Sequence, residues 1–173
     1  MNGFWLLIPF LLIRFGLLAL LDREAVRRAA HFAPVSGREI PAYWVYQISN
    51  AAIFLLLCFC AVKIKPLWLF CAGGAVYLLG LLACGASAVG FAAPSGGGPQ
   101  TGGIYRFSRN PMYVAYFAVF MGCAMLTQSP VLCGAVLVFQ ISAHWIILAE
   151  ERWCLEQFGE DYRQYMGRVR RYV

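Results

Sequence analysis

Long, nearly uncharged apolar runs follow one another along this chain, at Gly3–Leu21, Pro41–Val62, Pro66–Phe91, Pro111–Gln128 and Pro130–Ala149. A bilayer's hydrocarbon core takes roughly 20 apolar residues per helical crossing, and only helices or closed barrels satisfy the backbone inside it. None of the runs shows the strict apolar/polar alternation of a barrel strand. The pattern therefore predicts an all-α integral membrane protein of about five transmembrane helices, built as one membrane domain over residues 1–173. Residues 1–91 form a three-helix part, and 92–173 a loop, a helical hairpin and a tail.

The polar positions that interrupt this pattern locate the candidate chemistry. Arg14 falls near the middle of the first run. A charge there is costly, so its side chain either reaches the headgroups or meets an anionic partner inside the bundle. Asp22 to Ile40, with His31, Pro34 and Gly37, reads as a short interfacial helix and a loop, with His31 at the surface. In the third run Gly80, Cys84 and Ala88 recur every four residues, flanked by Ala83 and Ser87, which gives a face narrow enough for a neighbouring helix or a slim ligand, helix packing being the commoner reason.

The segment APSGGGPQTGGIYRFSRNP is the long polar interruption, and its Pro and Gly content alone suits a linker. Pro111 alters that reading. Proline is suited to the first position of a helix, so Tyr105 to Asn110 sit where backbone donors and the positive dipole end favour an anionic group. In the fifth run, at about 100° per residue, Gln140, His144, Ile147 and Glu151 share one face, with Glu150 to its flank. Beyond it, RWCLEQFGEDYRQYMGRVRRYV mixes aromatic residues with arginines, as expected of an interfacial amphipathic helix along anionic headgroups, a role compatible with closing over a ligand.

Composition agrees with the pattern: 61% of residues are hydrophobic and 13% charged. The net charge of +6 orients a bundle and does not call for nucleic acid. Arg23, Arg27, Arg28 and Arg38 follow the first run, Arg106 and Arg109 precede the fourth, and Arg152, Arg163, Arg168, Arg170 and Arg171 follow the fifth. Lys63 and Lys65 alone fall on the other side. By the positive-inside rule the amino terminus is outside and the carboxyl terminus cytoplasmic. The first run lacks a basic n-region and reads as an uncleaved anchor. The seven cysteines lie in or beside apolar runs without a CxxC pair or histidine cluster, which suits packing and reduced thiols better than a metal site.

Two stretches carry a resemblance. GGIYRFSRNPMYVAYFAVFMG, followed after a helical hairpin by EERWCLEQFGEDYRQYMGRV, resembles the carboxyl-terminal part of the isoprenylcysteine carboxyl methyltransferase and phospholipid methyltransferase superfamily. The resemblance covers about the last 70 residues, by its motif order and spacing. It implies S-adenosylmethionine as methyl donor, held in the 92–173 part. Gly103, Tyr105, Arg109, Asn110, Pro111, Tyr113, Glu150 and Glu151 are its implied cofactor-binding residues, and Glu151, His144 and Arg109 the candidate catalytic ones. The implied acceptor is a lipid or prenylated molecule entering from the membrane, in a bacterial inner membrane or an endoplasmic reticulum, with the site facing the cytoplasm.

Asn110 stands where the family often has histidine, and Asn-Pro-Met-Tyr is closer to the phospholipid N-methylating branch. The carboxyl-methylating branch tends to carry an arginine a turn before the glutamate pair, where this chain has HWIIL. An amine acceptor must lose a proton before attack and a carboxylate need not, so His144 or a glutamate matters only for the first. The alternatives are a nicotinamide-dependent membrane reductase of the sterol reductase kind, similar around an Arg-x-Pro-x-Tyr helix start, and a non-catalytic membrane scaffold.

Overall fold

The computed structural model describes residues 1–22, 33–37, 39–93 and 98–172. Their regular structure is helical, with one isolated bridge between Asn2 and Ala61. Helix α1 covers Gly3–Leu21. It opens with a 3-10 turn whose Phe4 N–H donates to the Asn2 side chain at 2.8 Å, and it widens to π-helical geometry over Leu12–Leu17. Then follow α2 (Glu39–Phe59), α3 (Leu67–Ala92), a 3-10 turn at Gly103–Arg106, α4 (Pro111–Thr127) and α5 (Pro130–Arg168).

Helices α1, α2, α3 and α5 are long and apolar enough to cross a membrane. The remaining predicted span, α4, has 17 residues, about 25 Å at 1.5 Å per residue, and so falls slightly short of a hydrocarbon core of about 30 Å. It is walled in by its neighbours, with Ala115, Val119 and Cys123 fully buried. Proline starts it and Gln128, in the left-handed conformation at φ 51°, ends it. The predicted fifth span runs on past Ala149 within α5, and the tail follows as a second helical stretch, set off by non-helical backbone at Gly159 (φ 54°) and ending at Arg168. Apolarity stops near Ala149, but helical hydrogen bonding continues through the polar residues that follow.

Close approach of backbones joins α3 to α4, the widest helix contact. A Cβ built on Gly122 would lie 2.6 Å from the Tyr77 backbone, and one on Gly80 2.6 Å from the Val119 nitrogen. Cys84, Ser87 and Ala88 are buried on the same side of α3, so the small face expected there is a helix-packing face.

The bundle has two distinct ends. At one, Gly3 N–H donates to the Cys60 carbonyl at 2.8 Å, Lys63 N–H to Leu126 at 2.9 Å, and the Gln128 amide to Lys65 at 2.8 Å. At the other, Arg152 makes a two-pronged ion pair with Glu39 at 2.6 and 2.8 Å and donates to the Pro34 carbonyl at 3.0 Å, tying α5 to the start of α2. Arg106 and Arg109 share that end through the turn before α4. The expected interfacial helix within Asp22 to Ile40, His31, and Arg23, Arg27, Arg28 and Arg38 lie outside the described residues.

Candidate active site

The approach to α4 is shaped by its glycines and by one aromatic ring. Gly103, at φ 57°, turns the chain, and Tyr105 then lies with its ring against Gly90 of α3, where an added Cβ would come within 3.1 Å of a ring carbon. The Tyr165 hydroxyl donates to the Tyr105 carbonyl at 2.6 Å, clamping this turn to the far part of α5. Burial pushes the Tyr105 hydroxyl well above its ordinary pKa, so it stays neutral. Ser108 Oγ accepts from the Asn110 N–H at 3.2 Å, and the Arg109 N–H donates to the Arg170 carbonyl at 2.9 Å. Arg109 and Asn110 are thereby fixed one and two residues before Pro111.

Across from them is Glu151, 3% exposed. The Asn110 amide donates to its Oε1 at 3.2 Å, and Arg109 Nη2 lies 3.3 Å from the same oxygen. Arg171 donates to Oε2 from Nε at 3.0 Å and from Nη2 at 2.9 Å. The hydrogen bond to Glu151 raises the Arg171 pKa above its ordinary value, keeping it charged throughout the accessible pH range. Two arginines against one carboxylate leave the cluster with a net positive charge. Arg109 Nε is buried without a hydrogen-bond partner among the described residues, a donor left over beside the α4 amino terminus.

A second pair runs alongside: the Tyr113 hydroxyl donates to Glu150 Oε1 at 2.6 Å. Arg109, Asn110, Pro111, Tyr113, Glu150 and Glu151 therefore come together as one site, with Tyr105 in its floor. Gly103 is exposed and shapes the turn. His144 sits about two turns before Glu151 on α5, its Nδ1 2.6 Å from the Tyr172 hydroxyl. Gln140, further along the predicted stripe, has a buried Oε1 without a hydrogen-bond partner among the described residues.

The sequence reading let the tail close over a ligand but did not single out Arg171 as the partner of Glu151. Tyr162 and Tyr165 are buried against the bundle at 5% and 6% exposure, not spread among headgroups. The Arg171 carbonyl accepts from Asn110 at 3.2 Å while its guanidinium grips Glu151. Gly159 makes this possible: the left-handed kink, easy for glycine, turns the end of α5 back over the α4 start. The lone glycine inside a helical pattern was the available signal.

A family model described as phospholipid methyltransferase matches residues 68–161, more than half of the chain. The chain belongs to the phospholipid methyltransferase family. The match takes in α3, α4 and most of α5, hence Arg109, Asn110 and the glutamate pair. Over 66 residues the chain is also 35% identical to methanethiol S-methyltransferase 1 of Bradyrhizobium diazoefficiens, a stretch that is 38% of this chain and 22% of that protein. The chain thus spans well under two thirds of that relative's length. No solved structure matches it significantly. Family membership thus stands beside four helices long and apolar enough to cross a membrane.

Proposed function

We propose that the protein transfers a methyl group from S-adenosylmethionine to a lipid or another hydrophobic acceptor lying in the membrane. The carrying observation is the convergence of Arg109, Asn110 and Glu151 at the start of α4, with Arg109 Nε left over as a buried donor. When bound, the donor supplies an activated methyl group on a sulfonium. Its carboxylate suits Arg109 Nε and the backbone at Pro111, and its ammonium or ribose diol suits Glu151 or Glu150. Tyr113 holds Glu150 in place, and Tyr105 and Gly103 shape the wall beneath. Because Arg171 already occupies one edge of Glu151, the tail forms part of the pocket's wall and would shift when an ammonium competes for that carboxylate.

The positive-inside rule puts this end of the bundle in the cytoplasm, so the donor arrives from water and the acceptor sideways from lipid. The chain's own contribution is alignment of the two reactants and exclusion of water. The B. diazoefficiens relative, by its name, methylates a small thiol, which extends the acceptors worth testing beyond lipids.

The test is incubation of the purified protein with methyl-labelled S-adenosylmethionine and a total lipid extract, followed by identification of labelled products. A labelled lipid or amphiphile made by wild type and lost in Asn110→Leu is the expected result. Donor binding that is undetectable by equilibrium dialysis would overturn the proposal.

A further inference from the structure

Arg14 lies in the π-helical stretch of α1, with its guanidinium carbon 4.6 Å from the centre of the Tyr116 ring and 5.5 Å from that of Phe15. Among the described residues no carboxylate lies within ion-pair distance of it. Aromatic faces attract a cation but leave its charge uncancelled. Arg14 also borders a partly open cavity of about 120 Å³ between α1, α2, α4 and α5, whose walls include Phe10, Tyr46, Tyr116 and Phe139. Asn50 is the other polar lining residue able to donate from an amide, and its side chain hydrogen-bonds to no described residue. An apolar chamber in a membrane bundle with a guanidinium and an amide turned to it is built for a small apolar body carrying negative charge.

The chamber adjoins the candidate active site. Tyr46 stacks on Phe139 at 4.8 Å on one side and approaches Tyr113 at 6.3 Å on the other, and Tyr113 bonds Glu150. Arg14, Tyr46 and Asn50 all precede the stretch matched by the family model, so nothing in that match assigns them. The possible bases are engaged as well: Glu151 by two arginines, Glu150 by Tyr113 and His144 by Tyr172. An acceptor that arrives as an anion needs none of them.

We propose that this cavity seats the reacting end of the acceptor, that Arg14 and Asn50 recognise its charge, and that the acceptor is a slim apolar molecule with an anionic nucleophile, a carboxylate or a thiolate. This rests on the methyl-transfer reading. A lone pair on the acceptor's oxygen or sulfur forms the new bond to the methyl carbon as the bond from that carbon to the sulfonium sulfur breaks. The breaking bond's electron pair stays on that sulfur, the two opposite charges cancel, and no proton moves.

The test offers phenylacetate, phenylmethanethiol and phenylmethanamine as acceptors to wild type, Arg14→Gln and Arg14→Lys in detergent, with S-adenosylmethionine binding measured alongside. Each probe carries a single ring because the cavity, about 120 Å³, is somewhat smaller than the cavity of about 150 Å³ that admits benzene. Wild type should methylate an anionic probe in preference to the amine, the carboxylate and thiol arms showing which anion is used. Arg14→Gln should raise KM for that probe about tenfold or more, with donor affinity unchanged within about twofold and Arg14→Lys partly restored. Preference for the amine, or an unchanged KM in Arg14→Gln with donor binding intact, would overturn the inference while sparing the methyl-transfer reading. If wild type binds no donor, the methyl-transfer reading falls and the site is judged by phenylacetate binding alone. Loss of that binding in both Arg14→Gln and the cavity-filling Phe54→Trp, each folded by melting temperature, upholds the site; binding indifferent to both, or absent from wild type, overturns it.

Discussion

Glu151 is the residue on which the site's charge balance turns. With Arg109 at 8% side-chain exposure and Glu151 at 4%, their pair is shielded from water, whereas Arg171 at 31% remains partly solvated. Removing one partner of a buried pair costs on the order of 3–5 kcal/mol because it strands the other charge. Glu151→Gln should therefore lower the melting temperature and abolish donor binding. Adding Arg171→Ala removes one stranded cation and should recover part of the melting temperature but none of the binding. Recovery of both would make Glu151 a purely structural ion-pair partner. Arg109, Asn110 and Glu151 were legible in the sequence because each depends on local rules, a proline-started helix and the 100° step along α5. Arg171 was not, since its place follows from a backbone reversal at Gly159 that periodicity alone does not reveal.

At the scale of elements, α3 and α4 approach so closely that glycine is required at Gly122, where a methyl group would meet the Tyr77 backbone at 2.6 Å. Gly74, the residue next to the packed Gly73 and so on another face of α3, has nothing within 4 Å of an added Cβ. Gly122→Ala should thus reduce folded yield and melting temperature, by overpacking worth about 1–3 kcal/mol, while Gly74→Ala should leave both unchanged. Equal behaviour of the two variants would show that the pair does not pack as described. The small face of Gly80, Cys84 and Ala88 was visible as a repeat of four, but its partner was not, because pairing between helices is a tertiary choice. The end of α5 was misplaced for a different reason. Hydropathy marks where lipid contact ends, whereas a helix ends where its backbone conformation changes, here at Gly159, beyond which a second helical stretch runs to Arg168.

For the whole molecule, helix packing places two systems next to each other. One is a polar cluster where α4 begins, closed by the bent end of α5; the other is an aromatic chamber with Arg14, reached from α1 and α2. Tyr46 and Tyr113 form the partition between them. The family match covers Arg109, Asn110 and the glutamate pair of the first system but not its Tyr165 and Arg171, and the chain's amino-terminal helices supply most of the second. The central claim is that the polar cluster binds the methyl donor, and ultraviolet cross-linking of radiolabelled S-adenosylmethionine to the purified protein, followed by peptide mapping, tests it most directly. Saturable label confined to peptides from 103–113 and 144–172 is the predicted result. Label in α1 or α2 alone, or label that unlabelled donor does not displace, would contradict it.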